Sequence, residues 1–190
     1  MAYAWLLFST QLPATPSSPR VMVWRKMRSA GAAGLDNGLW ILPDTEAAEL
    51  FLQEMREYVA QQGGASKSFR AAALDGASEA EVLERFRRDR AAEYGELIEQ
   101  SVDFLAEIDK ETRRQNFSFA EYEENEQDLA KLEAWYQKVR GRDFLEADPH
   151  GEAVAYLEKC RQALQEFAAA VFAHEGADPG PGQAEDKPAE

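Results

Sequence analysis

The chain has 190 residues, which suits one domain with an extension, and its apolar fraction of 45% and aromatic fraction of 11% exclude a globally disordered protein. The formal net charge of -14 excludes a general nucleic-acid coat protein, because any contact with a polyanion has to be local. The single cysteine, Cys160, excludes an internal disulfide bond and favours a reducing, cytoplasmic location.

The charge is unevenly distributed along the sequence. The first 35 residues contain four basic side chains and no acidic one, so all 35 acidic residues lie beyond them. Such a basic segment either folds back on the acidic body or contacts an anionic partner. The apolar N-terminus is short and lacks a basic leader, so it predicts a strand rather than a signal peptide. No apolar run approaches the roughly 20 residues of a membrane span, and no membrane partner is expected.

The first part of the chain alternates between strand and helix patterns. Three short runs predict strands over Trp5–Ser9, Leu39–Leu42 and Lys67–Leu74, the first of them buried on both faces. Amphipathic helices are predicted between these strands, the second over Glu46–Gln61 with a cap at Asp44 or Thr45 and a stop at Gly63-Gly64. This βαβαβ order predicts an α+β, ferredoxin-like unit over residues 1–77, with helices on one face of the sheet.

The first predicted helix carries the basic residues. Ser18 is expected to cap it, Pro19 to occupy its first position, and Gly31 and Gly34 to end it. The apolar residues predicted to share its inward face are Val23, Trp24, Met27 and Ala30. The residues expected to point away are Arg25, Lys26 and Arg28.

Beyond residue 77 the pattern becomes helical. A capping box at Ser78–Glu81 predicts a long helix to about Arg114, and a second at Ser118–Glu121 begins another helix that ends at Gly141. Asp148-Pro149 is expected to cap a final helix. The stripes predicted to pack these helices are Leu129, Leu132, Tyr136 and Val139, and then Val154, Leu157, Arg161, Leu164, Ala168 and Val171. The sequence therefore predicts a helical bundle over residues 78–174 and a disordered acidic tail over residues 175–190.

Three tryptophans lie in the first unit, and two readings of them are open. Trp5, Trp24 and Trp40 are interpreted as core residues, and the alternative is a platform on which nucleic-acid bases stack. Trp135 is interpreted as a packing residue of the helical hairpin.

No catalytic, metal or cofactor site is predicted. His150 and His174 lack a neighbour at metal-ligand spacing, and the acidic run Glu121–Glu126 is interpreted as a solvated helix face. Cys160 is interpreted as a partly buried helix residue, since one cysteine cannot form a redox pair. The first strand ends in Ser9-Thr10-Gln11, without the carboxylate that small ferredoxin-like nucleases place there, which argues against nuclease activity. Because no catalytic constellation is present in the sequence, the chain is not expected to be an enzyme.

Several segments resemble the N-terminal domain of the ChrB family of regulators associated with bacterial chromate resistance. They are Trp5-Leu-Leu-Phe, Leu12-Pro13, Ser18-Pro-Arg-Val-Met-Val-Trp-Arg-Lys-Met-Arg, Gly31-Ala and Gly38-Leu-Trp-Ile-Leu-Pro-Asp. Phe86-Arg-Arg-Asp-Arg-Ala-Ala-Glu-Tyr and Arg142-Asp-Phe resemble the continuation of the same family, so the likeness covers roughly residues 4–173.

The resemblance implies a cytoplasmic transcriptional regulator that contacts a DNA operator through Arg20, Arg25, Lys26 and Arg28. A homodimer through the long helices is expected, because three or four cations support only modest binding by one chain. Longer members of the family continue into a second domain linked to the chromate response, so a separately encoded domain of that kind is a candidate partner. The alternative is a protein-interaction or scaffold module without DNA binding.

Overall fold

The computed structural model describes residues 3–36 and 38–176, without the side chain of Asp36. The strands and helices in these ranges are β1 (Trp5–Gln11), α1 (Ser18–Ser29), β2 (Ala33–Asp36), β3 (Leu39–Pro43), α2 (Glu46–Gln61), β4 (Ala65–Ala71), α3 (Gly76–Arg113), α4 (Phe119–Arg140) and α5 (His150–Glu175). From residue 177 onward the predicted disordered tail lies outside the described residues. No helix within residues 3–36 and 38–176 combines the length and the apolarity that a membrane span requires.

The chain divides into two compact units. The first unit comprises residues up to Arg90 together with Gly141–Ala147, and the second comprises Ala91–Arg140 and the residues from Asp148 onward. Helix α3 therefore contributes its first turns to one unit and the remainder to the other. The domain boundary that the sequence places at residue 77 stays a prediction.

The first unit is built on a four-stranded antiparallel sheet with the order β2-β3-β1-β4. With α1 after β1 and α2 after β3, this is the connectivity of the ferredoxin-like class, so the predicted α+β fold is confirmed. The predicted βαβαβ order lacks β2, because Gly34 in this strand was expected to end the first helix. This edge strand has four residues and a register shift between Gly34 and Asp36, so it carries too short a pattern to recognise.

Helices α1 and α2 cover one face of the sheet. The buried core on this face contains Leu6 and Phe8 from β1, Trp40 and Leu42 from β3, and Val23, Met27, Leu52, Met55 and Val59 from the two helices. Leu6 and Phe8 alternate along β1 with Trp5 and Leu7, which point to the opposite face. This alternation explains why β1 reads as a continuous apolar run.

The opposite face of the sheet is also covered, so the prediction that helices lie on one face only is wrong. Trp5 stacks on Phe86 of α3 with ring centroids 5.5 Å apart, and Phe144 meets the same indole edge-on at 6.1 Å. Ile41 is buried in the same cluster. An apolar residue such as Trp5 on the second face has to be buried, and the first turns of α3 bury it.

Residues outside the helices fix where α1 and α2 begin and end. Helix α1 ends in a Schellman motif, in which Gly31 (φ 79°) donates to the Arg28 carbonyl and Ala32 donates to the Met27 carbonyl. The predicted stop at Gly31 is therefore confirmed, whereas Gly34 lies within β2. Helix α2 has the predicted bounds, and the Thr45 hydroxyl accepts a hydrogen bond from the Ala48 amide at 3.2 Å.

Two helix starts differ slightly from prediction. Helix α1 has Ser17 at its N-cap, one residue before the predicted Ser18. Helix α3 begins before Ser78, and the Asp75 carboxylate accepts from the Ser78 amide at 2.8 Å and from its hydroxyl at 3.0 Å. These hydrogen bonds lower the pKa of the Asp75 carboxyl, because they stabilise its ionised form. In contrast, Ser118 caps α4 as predicted, accepting from the Glu121 amide at 3.3 Å.

The second unit contains the rest of α3 with α4 and α5. Leu129, Leu132 and Val139 are buried along α4, and the predicted Tyr136 is half-buried. The buried stripe of α5 is Ala153, Leu157, Cys160, Leu164, Phe167 and Val171. Its prediction was partly wrong, because Val154 is 40% exposed and Arg161 lies at the surface, where it pairs with Glu133 and Glu158.

The turn between α3 and α4 is held by a buried carboxylate. Asn116 donates from Nδ2 to Glu111 Oε2 at 2.7 Å, and Lys110 and Arg114 lie beside the other carboxylate oxygen. The Asn116 hydrogen bond and the two cations hold the pKa of Glu111 below its ordinary value. The negative charge of Glu111 therefore helps to stabilise this turn at neutral pH.

Candidate nucleic-acid interface

The inward side of α1 is set by Pro19, Val23 and Met27, which are all buried. Successive helical residues turn by 100°, so most of the residues between these three point away from the sheet. The exposed side chains on the outward side are Arg20, Val21, Met22, Trp24, Arg25 and Lys26, with Arg28 partly exposed. We call these seven residues the α1 surface.

Arg25 is the most available cation of the α1 surface. Its side chain is exposed, and it makes no hydrogen bond or ion pair with any residue in the parts of the chain that the structure describes. A guanidinium in this state keeps all five of its donors for an outside acceptor such as a phosphate.

Arg20 and Lys26 are each engaged once and remain exposed. Arg20 donates from Nη2 to the Ala14 carbonyl at 2.8 Å, which fixes the side chain against the preceding loop and leaves other guanidinium donors free to bind. The Lys26 ammonium lies 5.8 Å from the centre of the Tyr58 ring in α2, within the range of a cation–π contact. Both cations are thus held beside the outward side of α1 without an acidic partner among the described residues.

Arg28 has a different environment from the other three cations. It donates from Nη1 to Asp89 Oδ2 of α3 at 2.7 Å, and the same carboxylate lies 3.4 Å from Nε of Arg85. Asp89 is only 13% exposed, so this ion pair is well shielded from water. Arg28 therefore ties α1 to α3 and is the least available of the four predicted DNA-contacting residues. The contact of all four with DNA stays a prediction.

Trp24 belongs to the α1 surface and not to the core. Its side chain is 55% exposed, whereas Trp5 and Trp40 are 2% and 9% exposed. The core prediction is confirmed for Trp5 and Trp40 and wrong for Trp24. A helix that packs on a flat sheet buries a narrow stripe, and Trp24 is turned 100° from Val23 and out of that stripe.

The α1 surface has basic neighbours that sequence reasoning did not assign. Arg85 of α3 shares the Asp89 carboxylate with Arg28. Arg142 donates to the Ser29 carbonyl at 3.2 Å and so caps the end of α1. The signal was present in the sequence, because Arg85–Arg90 holds four arginines and one aspartate in an otherwise acidic helix.

The groove beside α2 has the opposite character. It encloses about 950 Å³ between α2 and β4, and three carboxylates line it, from Glu46, Glu49 and Glu57. Two cations also line it: Arg70 is already paired with Asp44 and Glu49, and Arg56 is outnumbered by the three carboxylates. This groove is therefore unsuited to a polyanion, and basic character within the first unit concentrates on α1 and the adjoining part of α3.

The other candidate residues lie in the second unit. Cys160 is fully buried, more so than predicted, with Sγ 3.5 Å from the Ser101 carbonyl, and burial raises the pKa of its thiol. His150 Nε2 lies 3.0 Å from the Tyr136 hydroxyl, while the His174 ring lies beside Phe117. Within residues 3–36 and 38–176 no three histidine, cysteine or carboxylate side chains gather as metal ligands would.

Comparison with known proteins gives two matches. Residues 20–178 match the family model described as Protein ChrB, N-terminal. The chain is also 33% identical over 93 residues to Protein ChrB of Cupriavidus metallidurans, an alignment that covers 49% of this chain and 28% of that protein. The chain thus spans a limited part of the curated relative, while the family model covers most of the chain. The chain therefore belongs to the ChrB N-terminal family.

Proposed function

We propose that this chain is a cytoplasmic, non-enzymatic regulator of the ChrB type, which contacts the DNA backbone through α1. The observation that carries the proposal is that Arg20, Arg25 and Lys26 are exposed on one helix without acidic partners among the described residues. They stand out because the chain as a whole has a net charge of -14. Exposed guanidinium and ammonium groups of this kind are the groups that contact DNA phosphates.

The number of available cations sets the expected strength of binding. Three phosphate contacts give a log–log salt slope of about -3 for one chain, and six give about -5 for two chains. Such binding is modest at physiological salt, so we propose that two copies assemble through the long helices of the second unit. The acidic remainder of the chain would repel DNA and so orient α1 toward it.

The test measures fluorescence anisotropy of labelled upstream DNA across a salt series, with random-sequence DNA for comparison. Arg25→Ala should weaken binding several-fold and reduce the magnitude of the salt slope by about one. The matched control is Arg56→Ala, which removes an exposed arginine from α2 and should leave the affinity unchanged. Equal affinities for wild type and Arg25→Ala at moderate salt would contradict the proposal.

A second candidate is a protein-interaction or scaffold module without DNA binding. It is favoured by the exposed apolar residues Val21, Met22 and Trp24, because tryptophan, methionine and arginine are enriched in protein interfaces. Absence of any shift with upstream DNA even at low salt would favour this candidate. A separately encoded chromate-response domain would then be the first partner to test.

A further inference from the structure

Trp24 is a large apolar side chain that the fold leaves in water. It is 55% exposed, and the inward stripe of α1 is already filled by Pro19, Val23 and Met27. The indole therefore contributes little to the core of the first unit. Single exposed apolar residues are common, so the surroundings of Trp24 have to decide whether its exposure has a function.

The surroundings of Trp24 are basic and ordered. Arg20 and Arg28 lie one turn before and one turn after it, about 6 Å away along the helix axis in each direction. Arg20 is held by the Ala14 carbonyl and Arg28 by Asp89, so the two guanidiniums beside the indole are fixed in place. The exposed Arg25 follows Trp24 directly.

The arrangement of apolar and basic residues distinguishes between possible partners. On a helix that lies in a membrane surface, apolar and basic residues occupy opposite faces. On the α1 surface Val21, Met22 and Trp24 are interleaved with cations on one face, while the true apolar face packs on the sheet. An aromatic ring among cations is what single-stranded nucleic acid requires, because the ring stacks on a base while the cations hold its phosphates.

We propose that Trp24 is a base-stacking residue, and that the preferred ligand of the α1 surface is DNA with an unpaired base. This inference rests on the proposed function and narrows its ligand. Arg25 and Arg20 would hold the phosphates on either side of the base that stacks on the indole. In regular duplex DNA every base is already stacked on its neighbours, so Trp24 gains a stacking partner only where a base is unpaired or displaced.

The experiment compares three fluorescently labelled DNA probes of one sequence with the full-length protein at low salt. The probes are a 20-base-pair duplex, the same duplex with a one-nucleotide bulge, and the single strand. We expect the bulged and single-stranded probes to bind about ten-fold more tightly than the duplex. They should also quench tryptophan emission, because Trp24 is exposed whereas Trp5 and Trp40 are buried and Trp135 is partly buried.

Substitutions of Trp24 show whether its side chain stacks on a base or only supports the fold. Trp24→Ala should remove the preference for unpaired bases, and Trp24→Phe should keep part of it because the smaller ring still stacks. The matched control is Leu50→Ala, which removes a 59% exposed apolar residue from α2 and should change neither affinity nor preference. Far-ultraviolet circular dichroism and melting curves verify that each variant is folded.

Three outcomes would overturn the inference. If Trp24→Ala binds all probes as wild type does, or weakens all of them equally, Trp24 is no base-stacking residue, and the proposed function stands if Arg25→Ala still weakens binding. If wild type binds none of the probes at low salt, both proposals fail. If phosphatidylglycerol vesicles shift the tryptophan emission to the blue and DNA does not compete, the α1 surface is a membrane-binding surface.

Discussion

Helices α1 and α2 pack on the same face of the same sheet and differ in what they present to water. Their inner sides are equivalent, since Val23 and Met27 of α1 and Leu52, Met55 and Val59 of α2 are buried in one core. Their outer sides have opposite charge: α1 carries four basic residues and no acidic one, and α2 carries four glutamates and one arginine.

The comparison shows that core packing and surface function are set by separate residues of each helix. The inner sides obey the same requirement, burial against β1 and β3, and either helix could satisfy it with any surface charge. The outer sides do not pack on the sheet. Core packing therefore does not explain why α1 places cations around the exposed Trp24 while α2 places carboxylates around the exposed Leu50. This contrast is the reason why the proposed function is assigned to α1.

The largest expected effect is a loss of stability, which tests whether the buried sides of α1 and α2 contribute equally to the core. Met27→Ala and Met55→Ala each remove a fully buried side chain, so each should lower the free energy of unfolding by about 2–5 kcal/mol. Urea denaturation followed by circular dichroism measures this loss. Met22→Ala, on the outer side of α1, should stay within about 0.5 kcal/mol of wild type. A loss at one inner position only would show that the two helices do not share the core equally.

The next largest effect is also on stability, and it distinguishes Arg28, which is ion-paired, from Arg25, which is exposed. Arg28→Ala deprives the shielded Asp89 carboxylate of its closer partner and should cost about 1–2 kcal/mol of stability. Arg25→Ala should cost less than about 0.5 kcal/mol, because Arg25 is exposed. A double-mutant cycle with Asp89→Asn measures the coupling. Similar stability losses at Arg25 and Arg28 would refute the division into available and structural cations.

The smallest expected effect on stability comes from the N-cap residues of α1 and α2. Thr45→Ala removes the hydroxyl that accepts the Ala48 amide, so it should cost about 1 kcal/mol. Ser17→Ala at the start of α1 should cost a few tenths of a kcal/mol, because the Ser17 side chain makes no capping hydrogen bond. Thermal melting of the two variants in one buffer resolves the difference. A larger loss for Ser17→Ala would reverse this order.

Elements with a long, regular pattern were predictable from the sequence. Helix α2 has the predicted bounds, Glu46–Gln61, because its apolar residues recur at helical spacing between a capping threonine and two glycines. Strand β1 was predictable because it is buried on both faces. Strand β2 was missed because four residues, one of them glycine, carry no such pattern.

The candidate site was predictable in its location and less so in its details. The lack of acidic residues before residue 36 identified α1, but only tertiary structure shows that Asp89, 61 positions later, pairs with Arg28. The exposure of Trp24 was missed for a related reason. The width of a buried stripe depends on the surface against which a helix packs, and the sequence of the helix alone does not specify that surface.

The position of Phe144 has a consequence for how the protein is made in the cell. Trp5 is synthesised well before Phe86 and Phe144, whose rings cover it in the folded protein. At 5–20 residues per second, a ribosome reaches Phe144 about 7–28 s after Trp5. During that interval the nascent sheet exposes an indole that the finished protein buries. Folding of the first unit is therefore completed only after Phe144 has been synthesised, and until then the Trp5 ring lacks the aromatic cover that it has in the folded protein.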